Sequence, residues 1–361
     1  MTLSSLGWDA AFAAAFPPFA AAGLVPARVI AEHKLACTVR TADGEFAATC
    51  TGRLVHHAAA RADFPAVGDW VAVHPRPGEA LADIHAVLPR RTRFSRSAAG
   101  DTAGEQIVAA NIDTVFLVTA LDTNFNLRRI ERTLAVAWES GAQPVVVLNK
   151  TDLATDLPAQ RAAVAAVAAG APVVALSAVA DADPAAALGA WLVPGRTVAL
   201  LGSSGVGKST LINRLLGAAR QETAAISAAV NKGRHTTTRR ELLATPAGVL
   251  VIDTPGMREL QLWELDDAAL DTAFADVAAL AERCRFRDCS HRAEPGCAIQ
   301  AALEDGSLDF ERWQSFQKLR REQAYAARKA DPALARANQQ DWRKIHRAQR
   351  ALQRARDRGL L

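Results

Sequence analysis

No uninterrupted apolar segment of this 361-residue chain is long enough to span a bilayer, so no membrane partner is expected. The first residues also lack the basic start of a secretion signal. Met1 to Phe16 carries Asp9 and no Lys or Arg, and Pro17-Pro18 cuts the apolar run short. A short helix packed on the first domain is the better reading. Cysteine is scarce: five residues, three of them clustered, argue against a disulfide framework and for a reducing, cytoplasmic setting. Strong overall charge is missing too, at a formal net of +4, but the charge is unevenly spread. From Lys318 onward thirteen Lys and Arg face four Asp and Glu, a net of +9 that leaves −5 for the rest. A basic end on an otherwise acidic chain suits a polyanionic partner, nucleic acid before membrane.

The chain is long enough for two or three domains, and 50% hydrophobic with 22% charged residues is a globular composition. Five short β-strands are predicted at Leu24 to Ile30, Leu35 to Val39, Glu45 to Thr49, Val67 to Val73 and Leu81 to Leu88. They fit a small closed barrel of the OB type, which commonly binds oligonucleotides, and a small sandwich nearly as well. Cys37 and Cys50 fall in these strands and read as core residues. Arg90, Arg91, Arg93 and Arg96 follow in a Ser/Gly/Ala-rich stretch, read as a solvated basic linker or a phosphate contact.

From Ile112 buried strands alternate with helices, the pattern of a doubly wound α/β sheet with its chemistry at the carboxyl ends of the strands. One stretch organises it: Gly202-Ser203-Ser204-Gly205-Val206-Gly207-Lys208-Ser209-Thr210, between the apolar strand Val198 to Leu201 and a helix over Leu211 to Leu216. Strand, glycine loop and helix together are what the phosphate-loop signature requires. Backbone N–H groups and the helix N-terminus would cradle a di- or triphosphate, with Lys208 at the outer phosphates and Ser209 on Mg²⁺.

Asn149-Lys150-Thr151-Asp152, after the strand Pro144 to Leu148, has the form that reads guanine. Asp152 can accept from the ring N–H and the exocyclic amine of guanine, a donor pair that adenine does not offer. The Lys150 stem can lie over the base, Asn149 can tie the loop to the phosphate loop, and Ser177-Ala178 would aim the Ala178 N–H at the guanine carbonyl. Asp253-Thr254-Pro255-Gly256 ends another strand, with Asp253 on the Mg²⁺ water shell and the Gly256 N–H at the γ-phosphate. In Gly233-Arg234-His235-Thr236-Thr237-Thr238 one threonine, Thr237 or Thr238 preferred, would complete the Mg²⁺ shell.

The guanine motif precedes the phosphate loop, the reverse of the common order. A circular permutation preserves the sheet and makes the segment after Gly256 run straight into the C-terminal region, coupling nucleotide state to what that region binds. Hydrolysis needs a positioned water, often held by Gln after the DxxG motif; here Met257 stands there. His235 is the candidate catalytic substitute, with an exposed loop residue as the alternative. Slow unassisted turnover, on the order of 10⁻³ s⁻¹ or below, is expected.

Cys284, Cys289, His291 and Cys297 form a CxxxxCxHxxxxxC cluster. Three thiolates and an imidazole close a tetrahedral zinc site with no place for water, so its role would be structural. Beyond it, Trp313, Phe316, Tyr325 and Trp342 are interspersed with Lys and Arg; amphipathic helices packing back on the domain account for some of the aromatics, and the excess charge reads as a contact to nucleic-acid phosphate.

With GSSGVGKST, GRHTTT, DTPGMRE and the cysteine cluster following NKTD in this order, the chain resembles the circularly permuted, ribosome-small-subunit-dependent GTPases, the RsgA (YjeQ, EngC) family. The resemblance runs from about Val25 to the zinc cluster. It implies an OB-fold, a permuted P-loop GTPase domain and a helical zinc-binding domain. It also implies late maturation of the small ribosomal subunit, with hydrolysis stimulated by that subunit. The family's proposed catalytic histidine falls on His235, and its zinc ligands fall on the four cluster residues. The expected domains are 1–105 (N-terminal extension, barrel and basic linker), 106–265 (GTPase) and 266–361 (zinc-binding helices and basic tail), in a monomer binding GTP or GDP. Two other readings stand beside this one: an RNA-binding scaffold in which hydrolysis is incidental, and an ATPase resting on the phosphate loop alone.

Overall fold

The structure is a computed structural model that describes residues 2–33, 36–97, 105–217, 240–253, 267–292 and 294–330. Strands β1 (Val25–Glu32), β2 (Cys37–Arg40), β3 (Glu45–Cys50), β4 (Trp70–Pro75) and β5 (Leu81–Val87) pair in the order β1-β2-β3-β5-β4. β4 returns to β1, with Val25 opposite Val73 and Arg28 opposite Trp70, so the sheet closes into an OB-like barrel and the sandwich alternative falls. The register shift in β1 between Val29 and Ala31 is what permits closure. A bulge bends the strand, so its first half pairs with β4 and its second half turns away. Cys37 is buried in the barrel core with Cys50 packed against that core, and burial pushes the Cys37 thiol up to about 12, as expected of an inert core residue.

The N-terminal stretch folds onto this barrel. Helix α1 (Ala10–Ala15) is capped by Asp9, whose carboxylate accepts from the N–H groups of Ala11 and Phe12. Pro17 then opens α2 (Pro17–Ala21), and α3 (Gly52–His57) follows β3. Leu6, Phe12 and Phe16 pack on Trp70, and Trp8 meets the Trp70 ring at 4.6 Å. Beneath them Arg28 is 1% exposed. It donates to the Leu6 carbonyl (2.9 Å), the Asn111 carbonyl (3.1 Å) and Thr197 Oγ1 (3.2 Å), joining three separate parts of the chain. Burial lowers its pKa to about 10, which still leaves it charged at neutral pH.

The expected basic linker is not a linker. β6 (Arg93–Ser97) and β7 (Glu105–Ala110) pair antiparallel, and each of the four arginines meets a partner within the chain. Arg90 forms a two-pronged pair with buried Asp69 at 2.8 and 2.7 Å, and Arg91 pairs with Asp9 over the Phe12 ring. Arg93 lies 3.6 Å from Glu105, and Arg96 donates to Gln106. Arg90 and Arg91 already hold carboxylates, which makes them poor phosphate hooks, whereas the Arg93 side chain stays 61% exposed and Arg96 meets an amide.

Beyond the hairpin, β8 (Thr114–Ala120), β9 (Gln143–Asn149), β10 (Val173–Ala175), β11 (Thr197–Leu201) and β13 (Leu250–Asp253) run parallel in the order β10-β9-β8-β11-β13. Alternate residues of β8 face opposite layers. Val115 and Leu117 pack with Ile130 and Leu134 of α4 (Leu127–Glu139) and Val164 of α5 (Leu157–Val167); Phe116 and Val118 pack with Leu211 and Leu216 of α6 (Lys208–Leu216). Burial on both faces explains why these strands read as continuous apolar runs. Antiparallel β12 (Arg240–Ala244) then joins β13 to the turned half of β1, with Arg240 and Glu32 paired at 2.7 Å. Barrel strands and parallel strands thus form one continuous sheet, which the sequence reading missed.

Helices α7 (Asp267–Ala273), α8 (Ala275–Glu282), α9 (Ala298–Glu304) and α10 (Phe310–Ala330) pack around Phe274, Trp313 and Phe316. They meet α4 through Ala135, buried in this core, and through ion pairs. Glu131, 0% exposed, accepts from Arg312 at 2.8 Å and Arg128 at 2.9 Å, and Arg312 also grips Asp276 at 2.6 Å above the Phe274 ring. Removing one partner strands a buried charge. Arg312→Ala is expected to cost about 3–5 kcal/mol, read as a lowered urea midpoint; an unchanged midpoint would show the network to be dispensable. Burial opposes ionisation of Asp276, but the Arg312 guanidinium prevails and holds its carboxyl below the usual range. That stabilisation is present above the ordinary Asp pKa of about 4 and is lost as pH falls through the lowered value, so the helices should loosen only in stronger acid.

Candidate functional site

The phosphate loop runs from Gly202 to Gly207 between β11 and α6, as expected. Two glycines are required by close approach: a Cβ on Gly202 (φ +147°) would lie 2.2 Å from the Val118 carbonyl, and one on Gly207 (φ +97°) 2.2 Å from Asn149 Nδ2. Such distances are open only to a residue without a side chain. Ser209 is exposed in the first turn of α6, where the free N–H groups and the dipole favour an anion. Lys208 Nζ donates to the Gly202 and Ser203 carbonyls at 2.5 and 2.6 Å, holding the loop closed from within.

The guanine-motif residues meet this loop at the ends of β9 and β10. Asn149, 1% exposed, donates from Nδ2 to the Val206 carbonyl at 2.8 Å and accepts on Oδ1 from the Ala178 N–H at 2.9 Å. One amide therefore joins three segments. Its tie to the phosphate loop is as expected, but the Ala178 bond is a correction: that N–H is directed at Asn149 and not outward toward a base. Ser177 Oγ donates to Asp152 Oδ1 at 2.5 Å, and Ser177 is in turn held by Asp181, which accepts from its N–H at 2.8 Å. With one oxygen fixed, the exposed Asp152 carboxylate keeps the other for a ligand. Thr151 lies in the short turn Thr151–Leu153, and Lys150 before it is in the left-handed region at φ +63°. Lys150 Nζ pairs with Asp122 Oδ2 at 2.8 Å.

Asp253 ends β13, whose Ile252 lies level with Ala199 of β11, so the residue stands at the carboxyl end of the sheet, the edge that carries the phosphate loop. Gly256, His235, Thr237, Thr238, Met257 and the basic tail beyond residue 330 lie outside the described residues. The structure brings in residues that sequence reasoning missed: Asp122, Asp181, and Arg129 of α4, which donates to Ser203 Oγ at 3.1 Å. No motif marks them: Asp122 and Arg129 work through partners distant in sequence, and Asp181 through a backbone N–H four residues away.

The second cluster lies in the turn between α8 and α9. The ligand atoms of Cys284, Cys289, His291 and Cys297 all lie within 4.8 Å of one another. Cys284 Sγ is 3.5 Å and Cys297 Sγ 3.6 Å from His291 Nδ1, and the two sulfurs are 4.0 Å apart. Ordinary Zn–S and Zn–N bonds in a tetrahedron demand about 3.6 Å for S···N and about 3.8 Å for S···S, so the donor set fits such an ion. Burial raises the Cys284 thiol, but the N–H groups of Ala298 and Ile299 at the start of α9 outweigh it and favour the thiolate. His291 takes the left-handed backbone at φ +56°, with its ring edge-on to Trp313.

The sequence model of the RsgA GTPase family matches residues 87–263. The small ribosomal subunit biogenesis GTPase RsgA of Opitutus terrae is 64% identical over 362 residues, 98% of each chain, and that of Streptomyces coelicolor 46% identical, over 93% of this chain and 90% of its own. The chain belongs to the RsgA GTPase family. The fold agrees with the crystal structure of YjeQ from Thermotoga maritima (26% identity, TM-score 0.60, covering 83% of this chain and 98% of that one). It agrees likewise with YloQ, a circularly permuted GTPase (23% identity, TM-score 0.57, covering 83% and 95%). A model of ABC transporters also matches residues 188–352, a span that holds the phosphate loop but not the Asn149 to Asp152 segment.

Asn149→Ala would leave the Val206 carbonyl and the Ala178 N–H unpaired. At about 1–3 kcal/mol for each buried group, GDP affinity should fall at least tenfold by calorimetry. Wild-type affinity would show that the amide does not shape the site.

Proposed function

We propose that the chain is a GTP hydrolase of small ribosomal subunit maturation, stimulated by that subunit, whose nucleotide state is coupled to rRNA binding. The observation that carries this is the Asn149 amide bridging Val206 and Ala178 while Ser177 fixes one oxygen of Asp152. That arrangement sets a carboxylate for the donor edge of guanine beside a loop for phosphate. Family membership with full-length relatives described as biogenesis GTPases supports the partner.

Gly202 to Thr210 wrap the phosphates, whose oxygens replace the Gly202 and Ser203 carbonyls as acceptors for Lys208. Asn149, Lys150, Thr151, Asp152, Ser177 and Ala178 form the base pocket. Ser209, Asp253 and one of Thr237 and Thr238 would hold Mg²⁺, which neutralises charge on the outer phosphates. His235 accepts a proton from the attacking water, and the Gly256 N–H meets the γ-phosphate. Cys284, Cys289, His291 and Cys297 hold one structural Zn²⁺. The three units are 1–105, 106–265 and 266–361, in a cytoplasmic monomer.

GTP turnover with purified small and large ribosomal subunits is the direct test. Stimulation by the small subunit alone is expected, and no stimulation would remove the partner from this reading. His235→Ala should abolish most of the stimulated rate at unchanged GTP affinity; a full rate would favour the scaffold reading. Tighter ATP than GTP binding would overturn the base pocket. One equivalent of zinc by metal analysis is expected, with loss of C-terminal helicity on chelation. Unchanged circular dichroism after metal removal would show the cluster not to be structural.

A further inference from the structure

The loop from Asp122 to Asn126 and the first turn of α4 stand between the guanine segment, the phosphate loop and the C-terminal helices. Asp122 is held in direction by both oxygens: Oδ2 accepts from Lys150 Nζ at 2.8 Å and Oδ1 from the Asn124 N–H at 2.8 Å. The pair is largely shielded, with side chains 18% and 28% exposed. Asn126 caps α4 by accepting from the Arg129 N–H at 3.0 Å, and the Arg129 guanidinium reaches Ser203 Oγ at 3.1 Å. Its neighbours on the same turn, Arg128 and Glu131, are bound to Asp309, Glu311 and Arg312 of the C-terminal helices.

We infer that Asp122 and Arg129 are positioning residues of the nucleotide site, set in place by the C-terminal helices through α4. This rests on the guanine-site reading above. Asp122 aims Lys150, so that its stem lies across the base, and Arg129 braces the phosphate loop. A helix is stiff along its length, so a displacement of the Glu131–Arg312 contact moves the turn that carries Arg129 and, through the cap at Asn126, the loop that carries Asp122. Ion pairs joining α4 to the far domain thereby reach both ends of one nucleotide. Contact between an aliphatic stem and a ring face is indifferent to the substituents on the base edge, so the Asp122 effect should not depend on the exocyclic amine of guanine.

The test is release of fluorescently labelled GDP from the full chain, with affinities for GDP and IDP and a urea midpoint for each variant. Asp122→Asn is expected to speed release about tenfold, the loss of one charge-assisted bond, and to weaken GDP and IDP by the same factor at an unchanged midpoint. Arg129→Ala should speed release about threefold, with Arg129→Lys nearer wild type. Combined with Arg312→Lys, the effect of Arg129→Ala should be non-additive. Wild-type release from both single variants would overturn the inference, additivity would overturn the link through α4, and weakening of GDP alone would move the Asp122 role to Asp152. A wild-type chain that holds no GDP would overturn the guanine-site reading itself, an outcome distinct from these.

Discussion

Everything at the nucleotide site depends on the side-chain amide of Asn149. It is buried, donates to the phosphate loop at Val206 and accepts from the loop after β10 at Ala178. In a sheet whose chain order is permuted, the guanine segment and the phosphate loop belong to strands that do not touch: β9 and β11 are separated by β8. The amide spans that gap. The Gly207 position accommodates it, since a Cβ there would occupy the place of Asn149 Nδ2. The third phosphate-loop glycine is therefore a condition on the guanine segment as much as on the phosphates.

The parts that could be read from sequence were those whose constraint is local. A loop that must turn tightly between a strand and a helix demands its glycines within a few residues, and four soft ligands around one ion demand close spacing in a single turn. The parallel strands were evident because burial on both faces leaves runs such as Val145 to Leu148 without a polar residue. What could not be read was set by distant partners. Arg90 looks free until Asp69 is folded beside it, and Glu131 looks like a surface residue of an amphipathic helix until Arg312 covers it. The barrel strands were evident, but their closure depends on a bulge in β1 that no residue type announces.

The same distinction bears on how the domains are joined. Apolar contact crosses the junctions, as where Ala135 of α4 enters the C-terminal core and Val67 the core of the parallel sheet, and directed polar contacts accompany it: Arg28 to Thr197, Arg240 to Glu32, and Arg312 to Glu131. Apolar burial is non-directional and tolerates sliding, while a buried guanidinium bound to a carboxylate is satisfied in one register only. Polar contacts at the junctions therefore suit a protein whose domains must keep a defined relation. β12 extends the argument. It pairs with barrel strand β1 on one side and on the other with β13, which ends in Asp253, so a shift of the barrel would pull on the strand beside the phosphate-loop edge of the sheet. Together with α4 this gives the nucleotide site two mechanical connections, one to the barrel and one to the cysteine-rich helices. Since the two leave the sheet from different edges of the site, a partner that engages both end domains would act on the nucleotide from two sides at once.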